Sequence, residues 1–361
     1  MSRIEQRFLD KLGDNWEGAT PGLKVQAFHR GRKIIDVRAG QTYRYYDFAS
    51  LTKIIFTTTA FMALHDEKRF KLSDPASRWV PWFPEDHPAT MKSLLSHSAG
   101  LTWWYPFYKD VHPRASKLRT PEEAWDVFQT VFKKRVLSDL KKTELVWPTE
   151  KAVYSDLDYF MLGIALESVT GTTLYTVWAD LRDRLELRDT DFHRNNKPLH
   201  ARAKYAPTEK DSAWRKKTMQ GEVHDENTWS LKGVAPHAGL FGTHDDLSGY
   251  GLLLRGAMRG TGSSVFPSHE TVAKFTKRAI PVKQGDWALG FMTPTKGGSS
   301  CGIRFSPKSV GHTGFTGTSL WYDPVRDLLI TILSNRVNPT RENTAFLKLR
   351  PKIHDWIAEE L

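Results

Sequence analysis

The sequence predicts an α/β (α+β) domain in which an antiparallel sheet is built from both ends of the chain and flanked by helices, with a mainly helical lobe inserted between those ends. Three observations predict it. β-prone runs bounded by turn residues lie before residue 40 and after residue 310, helical spacing dominates between them, and the chain closes on an amphipathic segment. At 361 residues, with 40% hydrophobic and 26% charged, the chain can bury a full core and has globular composition. We divide this single domain into a sheet-containing lobe, residues 1–74 and 241–361, and a mainly helical lobe, residues 75–240. A cleft between the lobes is the natural ligand site.

LKVQAFHR (23–30) and KIIDVR (33–38) are two short runs read as a hairpin turning at Gly31-Arg32. From Ser50 the period changes, and Leu51, Ile54, Ile55, Thr58, Phe61 and Met62 fall close to one face of a buried helix. Helical stretches follow near 91–97, 121–134 and 157–169, with Thr120 as N-cap and Pro121 at the first helical position of the second, and few strands. Thr318 to Tyr322 and Leu328 to Ser334 read as adjacent antiparallel strands joined through Asp323-Pro324-Val325-Arg326-Asp327. Finally Phe346, Leu349, Ile353 and Ile357 recur at helical spacing and should pack on the sheet.

Several function classes are set aside by composition. Charges interrupt every apolar run of the N-terminal segment, leaving no signal-peptide core, and the window Leu51 to Leu64 is too short to span a bilayer. As written the chain reads as cytoplasmic, or as extracytoplasmic if it is a mature or truncated form. Cys301 is the sole cysteine, which excludes an intramolecular disulfide and a thiolate cluster. The net charge of +11 favours anionic partners, but Lys133-Lys134-Arg135 and Arg215-Lys216-Lys217 are short groups unaccompanied by a nucleic-acid motif. The expected partner is a small molecule or short peptide, with no nucleic acid, no transmembrane segment and no cofactor, and nothing sets an oligomeric state.

The chemistry centres on Ser50-Leu51-Thr52-Lys53, where one helical turn brings serine and lysine to the same face. Serine needs a neighbouring base, and a lysine in a poorly solvated site has a lowered pKa and can supply it. Ser138-Asp139-Leu140-Lys141 has the same spacing, but in a charged stretch where lysine stays hydrated. Two later features accompany Ser50. Tyr154-Ser155-Asp156 precedes the apolar helix LDYFMLGIALESVTG, and Gly311-His312-Thr313-Gly314-Phe315-Thr316-Gly317 leads into a strand with glycines that allow close backbone approach.

The ordered set SLTK, YSD and HTG, with the phrases LLSHSAGL (94–101) and GVAPHAGLFGTHDDL (233–247), resembles the serine β-lactamase and penicillin-binding-protein superfamily, of the class C β-lactamase, DD-peptidase and esterase-like type. The resemblance implies a β-lactamase/transpeptidase-like fold. It also implies an acyl-enzyme on Ser50, with Lys53 taking or relaying its proton and Tyr154 carrying a proton near the leaving group. The oxyanion hole would use the backbone N–H groups of Ser50 and Phe315. His312 stands where many β-lactamases have lysine, which implies small esters, amides or D-amino-acid peptides ahead of β-lactams, and a charge that varies with pH. Asp156 is read as a substrate contact, an N-cap or a partner for Lys53, and Arg336 and Arg341 as solvated residues or contacts for a substrate carboxylate.

Rival readings are a β-lactamase that hydrolyses β-lactam antibiotics at the same serine, a serine–histidine–aspartate hydrolase built on Ser98, a metal site among His224, Asp225, Glu226, His237, His244 and Asp245, and a catalytically silent penicillin-binding or interaction module.

Overall fold

In the computed structural model, which describes residues 2–142, 150–211 and 213–361, the chain runs through β1 (Gly22–His29), β2 (Arg32–Gly40), β3 (Tyr46–Asp47), β4 (Asp191–Phe192), β5 (Pro207–Asp211), β6 (Lys217–Gln220), β7 (Leu240–Gly242), β8 (Val310–Thr313), β9 (Ser319–Asp323) and β10 (Leu328–Ser334). The main sheet is antiparallel in the order β2-β1-β10-β9-β8, so its first and last segments meet at its centre. Leu23 pairs with Ser334 and His29 with Leu328, a register that places the two chain ends side by side. The β1–β2 turn is Arg30-Gly31 rather than Gly31-Arg32. Both residues take positive φ, 52° and 78°, and this left-handed pair matches the twist of a two-residue hairpin.

Alternation divides the sheet between two cores. Val25, Ala27, Trp321, Ile330 and Ile332 pack with the terminal helices Arg3–Leu12 and Ala345–Ala358, the latter through Phe346, Leu349, Ile353 and Ile357. Leu320, Tyr322, Leu329 and Leu333 belong to the second core with Leu247, Tyr250 and Leu254 of helix His244–Met258.

Residues between the two ends are rich in helices, among them Pro121–Lys142 and Asp156–Thr170. Thr120 opens the first as expected: its hydroxyl accepts the Glu123 N–H at 3.2 Å, and Glu123 accepts the Thr120 N–H in return. Phe107, Phe128, Phe132 and Phe160 knit these helices together, with Phe128 and Phe160 ring centres 4.4 Å apart. This part also holds β4 and the β5–β6 hairpin, which the sequence reading did not anticipate because strands as short and polar as PTEKD and KTMQ carry no apolar alternation. Among the described residues, no single helix is long and apolar enough to cross a membrane.

Candidate active site

Ser50 stands where the chain leaves β3 and turns into the buried helix. Asp47 fixes that turn, accepting the Ala49 N–H on Oδ1 and the His224 N–H on Oδ2, both at 2.8 Å. Ala49 takes a left-handed φ of 48°, so the chain reverses sharply just before the serine. Leu51, Ile54, Ile55, Thr58, Phe61 and Met62 are all buried, as the period predicts. Their helix widens to a π-helical segment over Lys53–Thr58, then continues as α-helix over Thr59–Asp66. The Ile54 carbonyl is taken by the hydroxyls of Thr59 (2.7 Å) and of the distant Tyr250 (2.9 Å), outside the regular ladder. The sequence reading expected a buried helix here, without the wider turn.

Lys53 is fully buried, and its ammonium donates to three acceptors: Ser50 Oγ at 3.1 Å, Asp156 Oδ1 at 2.7 Å and the His237 carbonyl at 3.3 Å. Burial alone would lower its pKa, but the Asp156 carboxylate overrides that and holds it above the ordinary lysine value. The expectation of a lowered lysine pKa is therefore corrected: Lys53 rests as an ammonium. Asp156 is its ion-pair partner and not an N-cap, since Ser155 caps the following helix by accepting the Asp158 N–H at 3.2 Å.

Tyr154 completes the group. Lys53 Nζ lies 4.9 Å from its ring centre, and the phenol interacts with both Ser50 and Lys53. Burial raises the phenol pKa and the Lys53 charge opposes the rise, leaving Tyr154 a neutral proton donor at neutral pH. Its ring stacks on Trp287 with centres 5.4 Å apart and planes within 11°.

The third motif lies opposite, on the end of β8 and the turn that leads, as expected, into β9. His312 Nδ1–H donates to the Thr313 carbonyl at 2.9 Å, so Nε2 carries the lone pair. Burial first, and the nearby Lys53 charge second, push the imidazole down to about 3. His312 is thus neutral across the physiological range, contrary to the expected pH-dependent charge. Gly314 is required by close approach: a Cβ there would lie 2.1 Å from Thr318 Oγ1 and 2.6 Å from the Phe48 carbonyl. The same tight packing seats β8 against the serine loop, with Thr316 and Thr318 hydroxyls donating to the carbonyls of Asp47 (2.7 Å) and Phe48 (3.0 Å). Phe315 is 49% exposed, its ring stacked on His224 and faced by Arg336 at 4.7 Å. Among the described residues, the N–H groups of Ser50 and Phe315 have no protein acceptor.

Neither arginine is solvated in the way first read. Arg336 is buried and donates to the Asn343 carbonyl at 2.9 Å, while Arg341 is paired with Glu209 and Glu226. The rival sites dissolve in the fold. Ser98 is buried and bonded to Ser96 Oγ at 2.9 Å. Lys141 is exposed. The Cys301 thiol is buried, which pushes it up to about 12. The six proposed metal ligands scatter: His224 turns to Glu209, Glu226 to Arg341, His244 to Thr331 and Asp245 to Gln26. Only Asp225 and His237 stay together, and they join Asp156 with ligand atoms mutually within 4.8 Å. Of these three, Asp156 is already engaged by the Lys53 ammonium, and the His237 ring is paired with Asp225 at 3.2 Å. Sequence reasoning missed Trp287, which backs Tyr154, and Trp103, 63% exposed, whose carbonyl accepts the Asp156 N–H at 2.9 Å. No spacing signal marks either.

The helix of Ser50 and Lys53 beside a two-ended antiparallel sheet, with Tyr154 converging on both, accords with the class that the comparisons indicate, a serine hydrolase of the β-lactamase and DD-carboxypeptidase type. The sequence matches the Beta-lactamase family over residues 1–350, and the chain belongs to that family. It is 31% identical over 351 residues to a Salmonella typhi protein named "Putative D-alanyl-D-alanine carboxypeptidase", covering 88% of this chain and 76% of that one. Among solved structures it resembles EstCE1, described as a hydrolase with promiscuous acyltransferase activity (TM-score 0.68, 19% identity, 99% of this chain and 100% of that one). It also resembles the octameric penicillin-binding protein homologue from Pyrococcus abyssi (TM-score 0.67, 18% identity, 95% and 76%). At these identities the structural likenesses speak for the fold.

Proposed function

We propose that the protein hydrolyses a small ester, amide or D-amino-acid peptide through an acyl-enzyme on Ser50. The observation that carries this is the contact of Ser50 Oγ with a buried lysine that is itself paired to a carboxylate. Because Lys53 rests as a donor, the base is assembled by transfer. Lys53 passes one proton to Asp156 across 2.7 Å, and the freed lone pair takes the Ser50 proton as Oγ attacks the acyl carbon. The Ser50 and Phe315 N–H groups receive the developing oxyanion. Tyr154 gives its proton to the leaving group and is refilled from Lys53, which regains the proton held by Asp156. Water then releases the acid by the same route in reverse and restores the serine.

Substrate preference follows from charge. Asp156 beside the nucleophile and a neutral His312 leave this wall without the fixed cation that a third-motif lysine would offer to a carboxylate, which favours neutral esters over β-lactams. The name carried by the Salmonella typhi relative supports D-alanyl peptides as a second class, whose terminal carboxylate gains no cation from this wall. Intact-mass spectrometry after incubation with p-nitrophenyl esters, penicillins, cephalosporins and D-Ala-D-Ala peptides tests the reading. A covalent adduct that disappears in Ser50→Ala is expected, and an adduct that survives the substitution refutes it.

A further inference from the structure

The phrase LLSHSAGL has no part in the chemistry above, yet its histidine sits behind the tyrosine. His97 is buried and adopts φ 53°, a left-handed conformation uncommon for a residue with a Cβ. Around it, residues 97–103 template the Tyr154 loop through four hydrogen bonds: Val153 N–H to the His97 carbonyl (3.0 Å), Ser155 N–H to His97 Nδ1 (3.2 Å), Ser155 Oγ–H to the Thr102 carbonyl (2.7 Å) and Asp156 N–H to the Trp103 carbonyl (2.9 Å). The imidazole also packs edge-on against Tyr154, ring centres 4.9 Å apart, and against Trp287 at 4.5 Å. Both residues flanking Tyr154, and its ring, are therefore set by this one segment.

The proton count at His97 is constrained. Nδ1 accepts a backbone N–H, whose hydrogen has a fixed direction, so Nδ1 carries no proton and the ring is the Nε2–H tautomer. Asp158 Oδ2 lies 3.3 Å from that same Nδ1. A carboxylate there would set lone pair against lone pair, whereas a carboxylic acid donates. Burial acts in the same direction, raising Asp158 well above the carboxylate range with help from the Asp156 charge, and lowering His97 well below its ordinary value with help from Lys53 and His312. Asp158 Oδ1 and His97 Nε2 have no polar partner among the described residues, as suits an uncharged pair enclosed by rings.

We infer that His97 is a positioning residue for Tyr154, held as the neutral Nε2–H tautomer by a protonated Asp158 so that no second charge competes with Lys53 beside the phenol. The inference rests on the Ser50 hydrolase reading for its kinetic consequence and on geometry alone for its structural one. Displacing Tyr154 by an ångström would cost on the order of 100-fold in turnover.

Three variants test it with p-nitrophenyl butyrate. His97→Ala loses about 100-fold in kcat with KM within about twofold of the parent. His97→Asn, which tolerates left-handed φ and offers Oδ1 to the Ser155 N–H, recovers most of that loss. Asp158→Asn keeps activity, since an amide donates to Nδ1 as the acid does. Parent-like kcat in His97→Ala overturns the inference, as does equal damage from Ala and Asn, or loss of activity in Asp158→Asn, the mark of an ion pair. Should His97→Ala fail to fold, the Asn variants still decide. Should the parent hydrolyse no ester, the hydrolase reading falls, while a crystal structure of His97→Asn against His97→Ala or His97→Gly decides the positioning claim: Tyr154 held in the first and shifted in the second sustains it, and unmoved in both overturns it.

Discussion

Asp156→Asn is the sharpest perturbation of the proposed relay, because it removes one charge and almost no volume. In the parent, Lys53 is wholly buried and Asp156 is 15% exposed at 2.7 Å. Removing one partner of a buried pair costs about 3–5 kcal/mol. Two acceptors of Lys53 remain, Ser50 Oγ and the His237 carbonyl, and Asp156 is partly exposed, so the lower end, roughly 3 kcal/mol, is expected. The sign with pH is distinctive. With the carboxylate gone, burial dominates and the folded lysine pKa falls below its unfolded value of 10.5, so the unfolded state binds the extra proton. The stability gap between variant and parent is widest near pH 7 and narrows as pH rises towards 10. Urea denaturation of both proteins at pH 7 and 9.5 measures it, alongside kcat/KM for p-nitrophenyl butyrate. Turnover should drop at pH 7 and recover with pH in the variant as Lys53 loses its proton. An unchanged denaturation midpoint together with a parent-like pH profile refutes the pairing argument.

Lys53→Ala should slow acylation by orders of magnitude while Lys141→Ala does almost nothing, as single-turnover kinetics will report; equal effects would mean that burial does not distinguish the two S-x-x-K segments. His193 and His354, at about 4, and His244 and His312, at about 3, are buried as neutral rings, so the unfolded chain takes up protons first as pH falls below 6.5. Each contributes a loss of about 1.4 kcal/mol per pH unit, together roughly 5 kcal/mol per unit between about pH 6 and 4. Denaturation midpoints that stay level from pH 7 to 5 would contradict this. For substrate preference, kcat/KM for p-nitrophenyl butyrate or a D-Ala-D-Ala peptide should exceed that for nitrocefin at pH 6 and pH 8, and nitrocefin leading at either pH would restore the β-lactamase reading.

What the sequence disclosed depended on how local the cause was. The face formed by Leu51, Ile54, Ile55, Thr58, Phe61 and Met62, the Thr120 cap and the terminal strands follow from side-chain period and turn chemistry, and they stand. Ser50, Lys53 and Tyr154 were legible as motifs, and the fold brings them together. Their protonation was not, because it depends on neighbours remote in sequence. Lys53 is charged owing to Asp156, and His312 neutral owing to its enclosure between the lysine and aromatic rings. The π-helical segment was hidden for the same reason, since one of the hydroxyls that capture the Ile54 carbonyl comes from Tyr250.

The two-ended sheet bears on synthesis. β1 lies between β2 and β10, and the terminal helices are tied by Arg7–Glu360 and Lys11–Glu360 contacts at 3.0 and 2.8 Å. A growing chain emerges with the first hairpin made and one edge of β1 open, and that edge waits for β10, far along the chain. The third motif rides on β8, beyond most of the helices, and reaches Ser50 only once β9 and β10 have docked. A ribosome-bound fragment can thus carry serine, lysine and tyrosine and still lack the wall that faces them, which leaves the candidate site unassembled until β8 to β10 have been made.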